Sequence, residues 1–165
     1  MNGCANSDAI TGYWTGVIEM NSKKVDLVLD LNSDRQTFSS YDLMLLEQPI
    51  SNLKVNNGNV CFSLVIDVEL NFNGELKNDS IIGTIEIQNG PPNMNMTFGL
   101  TKHSKTPEKP YFIEKLNINS NDIILSAEIY TPKTEGMHPA IVLLQGSSTN
   151  LKTDYVFDAD FFAKL

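Results

Sequence analysis

Between residues 138 and 150 the chain reads His-Pro-Ala-Ile-Val-Leu-Leu-Gln-Gly-Ser-Ser-Thr-Asn, an apolar run at 140–144 leading straight into Gln145-Gly146-Ser147-Ser148. A glycine there lets the backbone approach a neighbour closely, and it equally suits an ordinary strand-to-helix turn. The other side chains with chemistry to offer are few: two histidines and two cysteines. His103 has no second histidine or cysteine nearby, which reads as a solvated linker residue. Cys61 falls in the alternating run 59–67 and reads as a reduced strand residue. Two cysteines are too few for a disulfide framework or a metal site, and no metal or cofactor is expected. Cys4, in Asn2-Gly3-Cys4-Ala5-Asn6, is a little like the cysteine of a lipoprotein cleavage site that would carry lipid, but the apolar leader is missing. The other reading of residues 1–10 is a disordered leader.

What must hold these residues is bounded by bulk properties. A chain of 165 residues with formal charge −8 has no basic cluster longer than Lys23-Lys24. A nucleic acid is therefore not an expected partner, because binding a phosphate backbone needs concentrated cationic contacts. No apolar stretch approaches the roughly 18 residues of a transmembrane helix.

From Tyr13 to Lys102 the pattern has period two. Leu27, Leu29 and Leu31 share one face and Asp26 and Asp30 the other; Ile81, Gly83, Ile85 and Ile87 alternate with Thr84, Glu86 and Gln88; Met94, Met96, Phe98 and Leu100 do the same. That spacing is a half-buried strand. The breaks expected to be turns are Asn21-Ser22, Asn32-Ser33-Asp34, Asn57-Gly58, Asn73-Gly74, Asn78-Asp79 and Asn89-Gly90-Pro91-Pro92. Asparagine and glycine accept the positive φ of tight hairpins. The fold class expected is mainly β: an antiparallel meander of about eight strands, closed as a barrel or folded as a sandwich to protect its edges. The one tryptophan, Trp14, fills its core, and Met44, Met94 and Met96 either join that core or line an adaptable pocket.

Residues 103–110 carry two prolines and no large apolar side chain. The expected domains are accordingly 11–104, an autonomous β-domain; 105–110, a proline-rich linker; and 111–165. In the last, residues 111–119 and 123–130 read as two strands, and 140–144 as a third, apolar on both faces and so expected to be covered on both. Phe157, Phe161 and Leu165 follow at helical spacing over residues 154–165, with Thr153 or Asp154 as N-cap.

Gly12-Tyr13-Trp14 resembles the start of lipocalin-type barrels, in which the tryptophan caps one end. More extensively, residues 111–148 resemble the opening of a serine α/β-hydrolase, most similar to bacterial esterase or acyl-peptidase-like members: two antiparallel strands, a loop ending in His138-Pro139-Ala140, then an apolar strand and a glycine loop. One branch of that family carries an N-terminal β-domain beginning Gly-x-Trp-x-Gly, as Gly12-Tyr13-Trp14-Thr15-Gly16 does here. Gln48-Pro49-Ile50 and Gly83-Thr84 are similar to motifs that follow in that branch.

The resemblance implies that residues 145–148 form part of an oxyanion hole, with Gly146, Ser147 and Ser148 as the loop and the amide of Ser147 or Ser148 as donor. Losing one such donor typically costs about 2.7 to 4 kcal/mol of barrier. Gln145 stands where histidine is common, and Ser148 where a second glycine is usual. There is no Gly-x-Ser-x-Gly, and neither histidine follows a nucleophile and acid in the order such enzymes use, so Ser147 is not the expected nucleophile. The nucleophile, acid and base are expected in sequence beyond Leu165, and residues 1–165 alone are expected to be inactive. On this reading the chain is the N-terminal part of a hydrolase whose partner is a small ester or peptide substrate. It is also expected to form a homo-oligomer through 140–144. The alternative is a non-catalytic β-barrel that binds a small ligand.

Overall fold

The computed structural model describes residues 10–32, 35–90, 95–144 and 155–165. The chain divides into two compact units, Met1–Thr106 and Pro107–Leu165.

The first unit is a closed barrel of eight strands: β1 (Tyr13–Met20), β2 (Lys23–Asp30), β3 (Thr37–Ser40), β4 (Leu45–Asn56), β5 (Asn59–Val65), β6 (Glu69–Lys77), β7 (Ser80–Ile87) and β8 (Met96–His103). Each strand pairs antiparallel with the next, and β8 returns to β1 with Tyr13 opposite His103 and Met20 opposite Met96. Closure leaves no strand edge to pair with other chains. Of the two closed forms open to the sequence, a barrel or a sandwich, it is the barrel.

Alternation sends Leu27 and Leu29 of β2, Val60, Phe62 and Leu64 of β5, and Phe98 and Leu100 of β8 into the interior. The centre is aromatic. The Phe72 ring stacks on Phe62 with centroids 4.4 Å apart and lies 5.3 Å from Phe98 and 6.1 Å from Phe38. Rings from β3, β5, β6 and β8 thus meet inside, as a barrel of eight strands has room for little beyond its own side chains. Trp14 is fully buried, and its indole N–H donates to the Ile10 carbonyl at 2.9 Å. Ile10 is itself buried in the core, which removes it from the disordered leader in which residues 1–10 are grouped above.

The turns follow side-chain chemistry only in part. Asn21 and Ser22 have φ of 48° and 68°, and Asn57 and Gly58 have 49° and 82°, the positive pair a tight hairpin needs. Asn73-Gly74, expected as a turn, instead lies inside β6, with Gly74 opposite Gly83 of β7. The glycine is there for space: a Cβ at Gly74 would stand 2.8 Å from Ile81 Cγ2 and 2.9 Å from Phe98 Cζ. The β5–β6 reversal falls at residues 66–68, where the Ile66 N–H donates to the Val68 carbonyl at 3.0 Å. Gly16 and Gly83 are needed for closer approaches still. A Cβ at Gly16 would lie 1.7 Å from the Gly99 carbonyl oxygen, and one at Gly83 would lie 2.1 Å from that of Asn73.

The β3–β4 reversal, at residues 41–44, is tied to β2 by one carboxylate. Asp26 accepts from the Asp42 N–H (2.7 Å), the Tyr41 N–H (2.9 Å) and the Ser40 hydroxyl (3.0 Å), while Asp42 accepts from the Asp26 N–H at 2.9 Å. Partial burial pushes the Asp26 carboxyl up, but the donated N–H and O–H groups outweigh it and hold the carboxyl below its ordinary 3.8. A depressed folded-state value contributes stability at neutral pH that disappears as pH falls through the folded value. Asp26→Asn is therefore expected to cost roughly 1 to 2 kcal/mol at neutral pH, reduced from a buried charged bond by solvent screening. The difference between wild type and variant should shrink once the pH drops below 3.8. Urea unfolding of both proteins at neutral and strongly acidic pH checks this, and a difference that does not change with pH refutes it.

The second unit holds an antiparallel pair, β9 (Tyr111–Ser120) and β10 (Ile123–Pro132), and one helix, α1 (Val156–Ala163). The hairpin turns at Asn121, φ 53°. Buried Asp160 accepts a short hydrogen bond from the Tyr111 hydroxyl and pairs with Lys164 at 2.7 Å, so α1 is held to the hairpin by a polar contact. This differs from the expected apolar stripe: Phe161 and Leu165 are exposed, and the buried helix positions are Asp160 and Ala163. Tyr155 is the N-cap, without a side-chain cap bond; Thr153 and Asp154 lie outside the described residues.

Residues 140–144 form no strand. They join no ladder among the described residues, and Val142 is 78% exposed. A strand exists only through its hydrogen-bonded neighbour, and among the described residues the apolar run has none. The start of an α/β-hydrolase sheet expected from 111–165 is not found: among the described residues this stretch holds only an isolated antiparallel pair.

Candidate functional site

One end of the barrel brings Lys102, His103 and Lys105 to a single cavity. Trp14 and Lys102 are directly opposite on β1 and β8. The lysine arches over the indole with its ammonium 5.5 Å from the ring centroid, a cation–π contact. Gly12 makes room for it, since a Cβ there would meet Lys102 Cε at 2.7 Å. One residue along, His103 sets its ring edge-on to Tyr13, centroids 6.2 Å apart, with Nε2 at 2.6 Å from the Thr15 hydroxyl. Asn32 donates to Asp30 and Thr106 at 3.0 and 2.9 Å, drawing the segment after β8 against the end of β2. The Lys102 N–H donates to the Asp79 carbonyl at 2.8 Å. Gly12, Asn32, Asp79, Lys102 and His103, with Lys105, are among the residues lining a solvent-open cavity of about 650 Å³.

The lysines differ in their charge pairing. Lys24 pairs with Glu19, Lys77 with Glu75, Lys133 with Glu108 and Lys164 with Asp160. Lys102 and Lys105 have no carboxylate partner among the described residues. At the opposite end two of the connections are apolar and exposed, with Tyr41, Leu43 and Met44 in one and Val65, Ile66 and Val68 around another.

The residues singled out in the sequence fare unevenly. Gly146, Ser147 and Ser148 lie outside the described residues, as do Gln145, Cys4 and Met94. His103, expected in a linker, is the last residue of β8 and is hydrogen-bonded there. His138 stays within its own loop, Nε2 at 3.0 Å from the Thr134 carbonyl oxygen. Cys61 is a partly buried free thiol in β5. Met44 and Met96 share no pocket: Met44 projects from a turn with φ 53°, and Met96 is core. Among the described residues no three His, Cys, Asp or Glu side chains group as a metal site, and no helix is long and apolar enough to cross a membrane. The lysine-lined cavity was not anticipated. Its trace in the sequence is Lys102-His103-Ser104-Lys105, four residues with three basic side chains in an acidic chain.

Fold and geometry define the first unit as a closed, side-chain-filled antiparallel β-barrel with a basic cavity at one end. No protein-family model matches the chain, and no curated protein or solved structure proved significantly similar to it.

Proposed function

We propose that this chain is the N-terminal part of a serine hydrolase cleaving ester or amide bonds, in which the barrel is an accessory module and residues 111–165 begin the catalytic domain. The observation that carries this reading is the uncovered β9–β10 pair. Phe112, Ile118, Ile123, Leu125 and Ile129 share one face of the pair and are all exposed, with Ile123 at 63%. Residues 141–144 add four more exposed apolar side chains. Burying one such side chain contributes roughly 1.5 to 3 kcal/mol, so a pair of strands with this face fits the beginning of a larger sheet better than a finished unit. The loop 145–148 would then supply a backbone donor to the oxyanion, and the nucleophile would come from further sequence. A barrel whose centre is filled by four phenylalanine rings favours this over a ligand container.

Residues 1–165 alone are expected to hydrolyse p-nitrophenyl acetate no faster than buffer. The product of the natural gene is expected to be labelled by a fluorophosphonate at a serine outside them. Absence of labelling, or turnover by residues 1–165 that vanishes in Ser147→Ala, overturns the proposal.

A further inference from the structure

We propose that the cavity at the Trp14 end of the barrel is a binding site for a small oxyanion, a phosphate or a carboxylate. The inference stands apart from the hydrolase reading, because every residue it uses belongs to the barrel unit. Two cations, Lys102 and Lys105, line one cavity with a single carboxylate, Asp79, in a chain whose net charge is −8. Neither Lys102 nor Lys105 meets a carboxylate within 4 Å among the described residues, so both ammonium groups face the cavity without a paired acid.

Lys102 is also held in place. Its stem crosses the space a Cβ at Gly12 would fill, and its ammonium rests over the Trp14 face, which is fixed in turn by the indole bond to Ile10. A charge already fixed in position loses little freedom when a ligand arrives. His103 is fixed likewise by Thr15 and Tyr13. A concave, cationic, pre-ordered wall concentrates anions. A bland alternative, two solvated lysines, accounts for Lys105 but not for the anchoring of Lys102. Asp79 lines the same cavity and sets the sign of a test, because its negative charge opposes the ligand.

The experiment is a titration of the full 165-residue chain with sodium phosphate at constant pH and ionic strength, followed by amide chemical shifts in proton–nitrogen spectra. Sodium acetate in a second series distinguishes the two ligand sources. Saturable shifts are expected at Gly12, Asp79 and His103 with at least one of the anions. Lys105→Ala and Lys102→Met should weaken binding roughly three- to fivefold each, and Asp79→Asn should tighten it by a similar factor. Added sodium chloride should weaken it. Dispersed amide spectra establish that each variant is folded; if Lys102→Met is not, Lys105→Ala and Asp79→Asn decide. Shifts that never saturate with either anion, or affinities unchanged in the folded variants, overturn the proposal.

Discussion

A chain carrying Gly16→Ala is expected not to close its barrel. Gly16 sits in the middle of β1, opposite Leu27 of β2 and Leu100 of β8, so it is enclosed by backbone on both sides. The added Cβ would lie 1.7 Å from the Gly99 carbonyl oxygen and 2.9 Å from Leu100 Cα. Overpacking costs about 1 to 3 kcal/mol where side chains can shift. Here the obstacle is main chain, and relief requires β1 and β8 to part, which removes the pairing that closes the sheet. The expected loss exceeds about 4 kcal/mol, against a typical total of roughly 5 to 15 kcal/mol. Gly99→Ala is the matched control, because a Cβ there meets nothing within 4 Å. Circular dichroism and amide dispersion should show Gly99→Ala folded and Gly16→Ala collapsed or unfolded. A Gly16→Ala protein with the wild-type melting point would contradict the close crossing.

The second large effect is expected at the centre. Phe72 is fully buried and touches rings from three other strands, so no single neighbour can move in to replace it. Phe72→Ala should destabilise the barrel by about 3 to 5 kcal/mol, combining lost transfer energy with an unfilled cavity. Phe72→Leu, which keeps most of the volume, should cost clearly less. Denaturant midpoints of the two variants give the comparison. A loss below about 1 kcal/mol for alanine would mean the rings do not form one packed centre.

The barrel was legible because its strands are half-buried and write their period into the sequence. Leu27 and Leu29 lie inside and Asp26 outside, as the spacing requires. What period two does not encode is where the chain reverses without turn chemistry. Ile66-Asp67-Val68 turns although two of its three residues favour strands, because β5 and β6 pair in a register that puts Val65 opposite Glu69. Asn73-Gly74 has the chemistry and does not turn, because its glycine serves Phe98 instead. Likewise Tyr41 to Met44 is ordered by a carboxylate on another strand, a long-range bond that no local pattern announces. In the second unit, five apolar residues in succession suggested a covered strand, but coverage is a property of neighbours, and the sequence names none. The lysine cavity was hidden for a similar reason: Gly12, Asn32, Asp79 and Lys105 are far apart along the chain and meet only once β8 has found β1.

That meeting also fixes the order of assembly. Every other pairing in the barrel joins neighbours in sequence, whereas the seam joins Thr15 to His103 across 88 residues. Loop-closure entropy makes such a contact the slow one, and folds dominated by distant pairings fold slowly. During synthesis the first strand leaves the ribosome long before its second partner exists. Until His103 has emerged, the nascent chain is an open meander with β1 as a bare edge, the state in which a chaperone or a stray strand competes for it. The seam is thus the last step of folding and the point at which the chain is most exposed to being captured by something else.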